Sequence, residues 1–343
     1  LIYIINVCVR IMKSNNYRAV KTLNCYHPKV AFPSGFTKNG KTKYAVIEKK
    51  TVGKTYPPQA VTIPCGTCVA CRLRKSKEWA SRMVLESLCQ EYPPIFMTLT
   101  YNDDHLPPKR EGSPFHSLEI SDLQRFFKRL RYRYPYDIKY YASGEYGALK
   151  GRPHYHIILF GLPIEALPIS DYSYRSGDYI VYGSTEFDSK VWKNGQCLYS
   201  LANWDTMCYT ARYVMKKQYG EGSAIYSHYN FVAPFSTMSL KRPIGKEFLD
   251  KHWLDIMNDK AIYLPDKGKQ PIPSYFKNML KSGEFGDDVA EDFDNYLVYS
   301  GVLADQKLQQ IFQSTDSNFL DMLGDMEAVH NTAVTSLKRD LEL

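Results

Sequence analysis

Two short apolar runs flanking a glycine-rich turn constrain the fold more than any other part of the chain. Asp137–Ser143 (DIKYYAS) and His154–Phe160 (HYHIILF) are rich in aromatic and β-branched residues, and Gly144–Pro153 lies between them. Such runs read as two strands joined as a hairpin. Alternate residues of a strand share a face, so His154 and His156 present two imidazoles side by side.

The neighbouring segments extend this hairpin into an architecture. Ile95–Tyr101 (IFMTLTY), bounded by Pro94 and Asn102, reads as a buried strand. Ser121 stands three residues before Gln124 in a capping-box pattern, and Leu123, Phe126, Phe127, Leu130 and Tyr134 follow at helical spacing. Arg125, Lys128, Arg129, Arg131 and Arg133 decorate the other faces of that helix. Arg72–Tyr92 reads as an amphipathic helix, with Trp79, Met83, Val84 and Leu88 near one face and Arg74, Lys75, Lys77 and Arg82 elsewhere. Trp204–Tyr219 (WDTMCYTARYVMKKQY) favours another helix with Asp205 as its cap, whereas Pro163–Ser200 shows no period and reads as an insertion with short strands. The order strand, helix, strand, strand, helix predicts an α+β fold, an antiparallel sheet with flanking helices.

Charge divides the chain unevenly. Residues 284–343 hold 13 acidic and 3 basic side chains, leaving 41 basic and 23 acidic in residues 1–283. The body is thus near +18 and the tail near −10, and a body of that sign suits a polyanion such as nucleic acid or serves solubility. Composition shifts place a basic, turn-rich N-terminal arm at 1–64, a central domain at 65–283 with a cysteine-rich entry helix, and an acidic tail at 284–343 holding one or two helices. The opening run Leu1–Ile11 is apolar but too short to span a bilayer, so no membrane partner is expected. With Met12 directly after it, this run reads as an upstream extension of the true start. Eight cysteines in 343 residues are too sparse for a disulfide scaffold and fit a reduced, intracellular setting.

Three constellations carry chemistry. Glu145 lies nine residues before His154, where a hairpin folds it back beside the imidazoles. Two histidines and a carboxylate can hold a divalent ion, magnesium or manganese for phosphodiester chemistry. Asp103 and Asp104 are rival third ligands, and the bland reading is a packed histidine pair with a solvated carboxylate. Second, Tyr209, Tyr213 and Lys216 fall on one face of the Trp204–Tyr219 helix. A free phenol ionises near pH 10, so a nucleophilic tyrosine needs a cation beside it; the plain alternative is an amphipathic helix burying two tyrosines. Third, Cys65, Cys68 and Cys71 form C-x2-C-x2-C, with Cys25 as a fourth thiolate for a structural zinc. An iron-sulfur motif shares part of that spacing, and reduced thiols without metal are the third choice. Arg72, Arg74, Lys75 and Lys77 follow directly, as phosphate contacts or as a solvated helix face.

In order, FMTLTY, GEYG, GRPHYHIILFG and YTARYVMKK make the chain resemble the HUH endonucleases, and closely the replication initiators of small single-stranded DNA phages, the gokushovirus-like Microviridae. The likeness also takes in Pro64-Cys65-Gly66-x-Cys68-x-x-Cys71-Arg72 and the Pro243–Glu247 segment, and covers roughly residues 60 to 250. It implies a ferredoxin- or RRM-like core, His154 and His156 as the metal pair with Tyr155 between them, and Glu145 as third ligand. It also implies Tyr209 and Tyr213 as nucleophiles with Lys216 as their accompanying lysine. Lys217 joins the basic run 72–77 as a DNA contact. By that likeness the chain is a metal-dependent nickase that cuts and rejoins single-stranded DNA at a phage origin through a 5′-phosphotyrosine, leaving a 3′-hydroxyl primer for rolling-circle replication. Its partners would be single-stranded origin DNA and the host helicase and polymerase, in the host bacterial cytoplasm. Two other functions compete: a module that binds the origin without cutting, and a metal-dependent hydrolase of nucleotides.

Overall fold

The computed structural model describes residues 25–36, 42–47, 61–147, 151–168, 172–176, 179–216, 223–314 and 319–335. They fall into two compact units, one of residues up to Arg74 and from Glu291 onward, the other Lys75–Ala290. Residues 1–11 and Lys217 lie outside the described residues, as do the side chains of Tyr213 and Lys216.

In the first unit β1 (Lys29–Phe36), β2 (Thr42–Ile47) and β3 (Val61–Ile63) form an antiparallel sheet in the order β2-β1-β3. These strands run through the proline- and glycine-punctuated stretch in which the sequence shows no period.

The second unit is built on α1 (Val69–Ser87), β4 (Ile95–Tyr101), α2 (Ile120–Arg133), β5 (Lys139–Tyr146), β6 (Pro153–Phe160), β7 (Tyr172–Ser176), β8 (Tyr179–Gly183), β9 (Gly195–Leu201) and α3 (Trp204–Lys216). There follow α4 (Ala224–His228), β10 (Phe235–Met238), α5 (Lys246–Asp259), a hairpin of β11 (Ile262–Leu264) and β12 (Gly268–Gln270), and α6 (Ser274–Leu280). The acidic end forms α7 (Asp287–Gln313) and α8 (Phe319–Thr335), two helices as expected. No described helix is long and apolar enough to cross a membrane.

Seven strands pair antiparallel throughout in the order β10-β5-β6-β4-β9-β8-β7, so the fold is α+β with one large sheet flanked by helices. The two faces of this sheet do different work. Ile95, Met97 and Leu99 of β4 and Tyr155, Ile157 and Leu159 of β6 turn to one face, where Leu123, Phe126, Phe127 and Leu130 of α2 close the core with Trp192. Burying each such side chain contributes about 1.5–3 kcal/mol. The alternate residues, among them Phe96, Thr98, His154 and His156, turn to the face on which α3 packs across β5, β6 and β10. A slip of one residue in register would move the histidines into the α2 core, so the apolar alternation fixes their direction.

Several local expectations need correction. The capping box at Ser121 does not form: α2 starts at Ile120, and the Ser121 hydroxyl donates to the Glu119 carboxylate at 3.0 Å. Instead the buried Tyr155 phenol donates to the Glu119 carbonyl (2.9 Å) and accepts the Glu119 N–H (3.0 Å), tying the helix start to β6. A buried hydroxyl needs partners, and an unoccupied helix end supplies them. Asp205 does not cap α3 either. Asn203 does, its side-chain oxygen accepting the Thr206 N–H (3.0 Å) while the Thr206 hydroxyl accepts the Asn203 N–H (2.8 Å). Arg82 is not on a basic face of α1: it is buried between the Trp79 and Tyr275 rings, 4.2 and 4.3 Å from their centres, and donates to the Ile244 carbonyl. Finally, the 163–200 stretch holds three strands and a helical segment over 185–192, short elements whose period is too brief to read from sequence.

Candidate metal centre and tyrosine helix

Register brings the first constellation together. Glu145 of β5 pairs directly with His154 of β6, and Ser143 with His156, while on the other side Thr100 faces His154 and Thr98 faces His156. The three side chains Glu145, His154 and His156 therefore rise from one face of adjacent strands, with one ligand atom of each within 4.8 Å of the others. Both Nε2 atoms converge on the same Glu145 oxygen, at 2.7 Å from His154 and 3.1 Å from His156.

The far side of each ring is held as well. His154 Nδ1 lies 3.1 Å from the Arg152 carbonyl, which can only accept, so the proton belongs on Nδ1 and the Nε2 lone pair faces the cluster. His156 Nδ1 sits 3.1 Å from the Thr98 hydroxyl, which can accept in the same way. Such outer partners fix the tautomer and orientation that a metal-binding histidine needs. Burial opposes ionisation of the Glu145 carboxyl, yet hydrogen bonds and charge from His154 and His156 prevail and hold it well below the usual carboxylate range. Two imidazoles and an ionised carboxylate, oriented toward one point, fit a divalent cation of intermediate hardness.

Asp103 and Asp104 do not join this group. Both are exposed on a turn after β4, and Asp103 pairs with Arg152 at 2.7 Å.

The tyrosine helix meets the centre through Tyr209. Its buried ring packs edge-on against His156, with centres 5.1 Å apart, and against Phe96 at 6.2 Å. Phe96 in turn lies parallel to the His156 ring at 5.7 Å. The backbone of α3 carries Tyr213 and Lys216 one and two turns farther on. Sequence reasoning missed Arg212, whose guanidinium stands 5.8 Å from the centre of the Tyr209 ring. Its three-residue spacing from Tyr209 was a usable signal. Thr98 and Phe96 were missed too, because nothing local to IFMTLTY says which strand it pairs with.

The cysteine constellation gathers in the first unit: Cys25, Cys65, Cys68 and Cys71 also bring their sulfurs within 4.8 Å of one another. Of the basic run, Lys75 and Lys77 are exposed, and Arg72 and Arg74 are half-buried.

Comparison with known proteins bears on the same segment. Residues 94–218, from the edge of β4 through α3, match the replication-associated protein ORF2 family. That span contains the histidine-glutamate group and both tyrosines. Replication-associated protein ORF2 of Spiroplasma virus 4 is 32% identical, over 82% of this chain and 86% of its own length. Replication-associated protein VP4 of Bdellovibrio phage phiMH2K is 27% identical, over 81% of this chain and 91% of its own. Replication-associated protein ORF4 of Chlamydia phage 1 is 29% identical over 64% of this chain and 53% of its own. No solved structure matches the chain significantly.

Proposed function

This chain belongs to the family of phage replication-associated proteins, and on that premise we propose that it starts replication by cutting and rejoining single-stranded DNA through tyrosine. The observation that carries the reading is the packing of Tyr209 on His156, which sets a phenol beside the Glu145–His154–His156 group.

In this reading Glu145, His154 and His156 hold magnesium or manganese, which when bound polarises a non-bridging oxygen of the scissile phosphate. The protein supplies orientation and charge. Thr98 and the Arg152 carbonyl keep both imidazoles turned toward the cluster, and Phe96 walls one side of His156. Arg212, near the Tyr209 ring, and Lys216 on the same helix favour the phenolate over the phenol. The phenolate oxygen of Tyr209 or Tyr213 attacks phosphorus, the bond to the 3′ oxygen breaks, and that oxygen leaves as a 3′-hydroxyl after taking a proton. The 5′ end stays on the enzyme as a phosphotyrosine. Joining is the reverse, attack of a 3′-hydroxyl on the phosphotyrosine, so the exchange needs no nucleotide cofactor. A second tyrosine permits a second cut while the first end is still attached. In-line attack requires the strand to be unpaired at the site. The substrate is single-stranded origin DNA in the cytoplasm of the bacterial host, and host helicase and polymerase open the duplex and extend the freed 3′-hydroxyl. Lys75 and Lys77, exposed on α1, with Arg72, Arg74 and Lys217, contribute phosphate contacts.

The basic body also suits a protein that binds the origin without cutting. One experiment separates the readings: the purified chain is mixed with labelled single-stranded origin DNA and manganese, then run on a denaturing gel. Nicking through tyrosine gives label that travels with the protein after denaturation. Retention under native conditions with no such adduct would favour the binding module, and cleaved DNA free of protein would favour a hydrolase.

A further inference from the structure

The first unit contains a second centre, of different chemistry from the first. β1 pairs antiparallel with β3, Lys29 opposite Ile63, so the chain enters β1 and leaves β3 at the same end of the sheet. That brings Cys25 beside Cys65, although they are 40 residues apart. Gly66 has φ +77°, a left-handed turn that a side chain would strain, and it reverses the backbone over Cys65. The Thr67 and Cys68 N–H groups then donate to the Cys65 sulfur at 3.4 and 3.2 Å, and the Cys65 N–H donates to the Cys25 sulfur at 3.1 Å. Cys68 stands just before α1, its carbonyl accepting the Arg72 N–H, which places Cys71 one turn into the helix on the same side.

Sulfur atoms that gather backbone N–H donors are set up as thiolates, since those bonds favour the charged form. The four are too far apart for a bond to each other: Cys25 and Cys68 are 3.9 Å apart, against about 2.05 Å in a disulfide, and none is oxidised. Their spacing matches a single tetrahedral ion. With a zinc–sulfur distance of about 2.3 Å, tetrahedral geometry separates the sulfurs by about 3.8 Å. An iron-sulfur cluster, which puts several iron and sulfide atoms between its thiolates, needs a wider cage than one in which all ligand atoms lie within 4.8 Å.

The unit also has reason to need an ion. Its described buried apolar side chains other than cysteine are few, among them Val30, Ala31, Val69, Phe293 and Leu323, while Phe36, Tyr44 and Val46 of the strands are exposed. A small unit with so slight a core is commonly held by a metal. We propose that Cys25, Cys65, Cys68 and Cys71 bind one zinc ion as four thiolates, a structural centre that fastens the start of β1, the end of β3 and the start of α1. Each thiol gives up its proton on binding, and no redox change is involved.

The test uses the full chain, purified with a non-thiol reductant and washed with a chelator to strip weakly held ions. Elemental analysis is expected to find one zinc per chain, and to find it still in a Glu145→Ala/His154→Ala/His156→Ala variant. A Cys65→Ser/Cys68→Ser variant should fall from one equivalent to near none. Because that variant can fail to fold, the wild-type chain is also exchanged with cobalt, which should give intense sulfur-to-cobalt charge-transfer absorption with the visible bands of tetrahedral cobalt. Zinc that persists in the cysteine variant, zinc lost only with the histidine group, iron in place of zinc, or cobalt spectra without sulfur bands would each overturn the assignment.

Discussion

His156 is the residue on which the site turns, since Glu145, Thr98, Phe96 and Tyr209 all meet it. Thr98 touches neither the proposed cation nor the phosphate, and its role is to hold the His156 ring. Thr98→Val keeps the shape and removes that hydrogen bond, so manganese affinity, followed by calorimetry, should fall by about 10–100-fold with little change in stability. Unchanged affinity would mean that packing alone orients the ring. A different effect is expected at Tyr101 and Tyr155, whose phenols are buried and bonded to each other at 2.9 Å. Burial, first of all, pushes both well above the ordinary 10.0. The folded chain therefore keeps protons that the unfolded chain releases above pH 10. Their contribution to stability is level below that pH and declines as pH rises beyond it, which denaturant titrations across the alkaline range would register. At this scale the sequence was informative where spacing alone sufficed: a two-residue period aligned the histidines, and nine residues of hairpin returned Glu145 to them. Thr98 was hidden because its partnership depends on pairing between β4 and β6, 58 residues apart.

Among elements, β5 is the most constrained, because it carries Glu145 on one face and seals the core on the other. A Cβ at Gly144 would stand 2.9 Å from the Phe235 ring of β10 and 3.1 Å from Leu118, closer than packed carbons tolerate. Gly144→Ala should cost about 1–3 kcal/mol in urea unfolding, from overpacking at that point. A neutral result would show that Phe235 can swing away freely. Helix α3 illustrates what sequence can and cannot tell. Its existence and its tyrosine-bearing face followed from the 3.6-residue period, whereas its cap fell to Asn203 and not Asp205, because the reciprocal bonds with Thr206 fix the first turn one residue earlier. The start of α2 departs from its local capping pattern for a nonlocal reason, a phenol arriving from β6. β7, β8 and β9 left no trace in the Pro163–Ser200 pattern because short strands offer few alternations.

For the molecule as a whole, a basic body and an acidic end imply DNA binding dominated by phosphate contacts. Raising salt should weaken binding to single-stranded DNA of any sequence, and Lys75→Ala or Lys77→Ala should flatten the log–log salt dependence by about 0.7 for each phosphate no longer neutralised. An unchanged slope would place both lysines off the DNA path. The α+β class and the helices of the acidic end were legible from element order and composition, whereas the sheet of the first unit was masked by its turns. The central claim is that a tyrosine of α3 becomes bonded to DNA, and the sequence makes this directly measurable. Trypsin cuts after Arg212, so Tyr209 leaves on the peptide ending at Arg212 and Tyr213 on the short peptide Tyr213–Lys216. Mass spectrometry of the digested, nuclease-trimmed adduct should find a nucleotide phosphate on one of those two peptides. Attachment to any other peptide, or undiminished adduct in a Tyr209→Phe/Tyr213→Phe chain, would contradict the account.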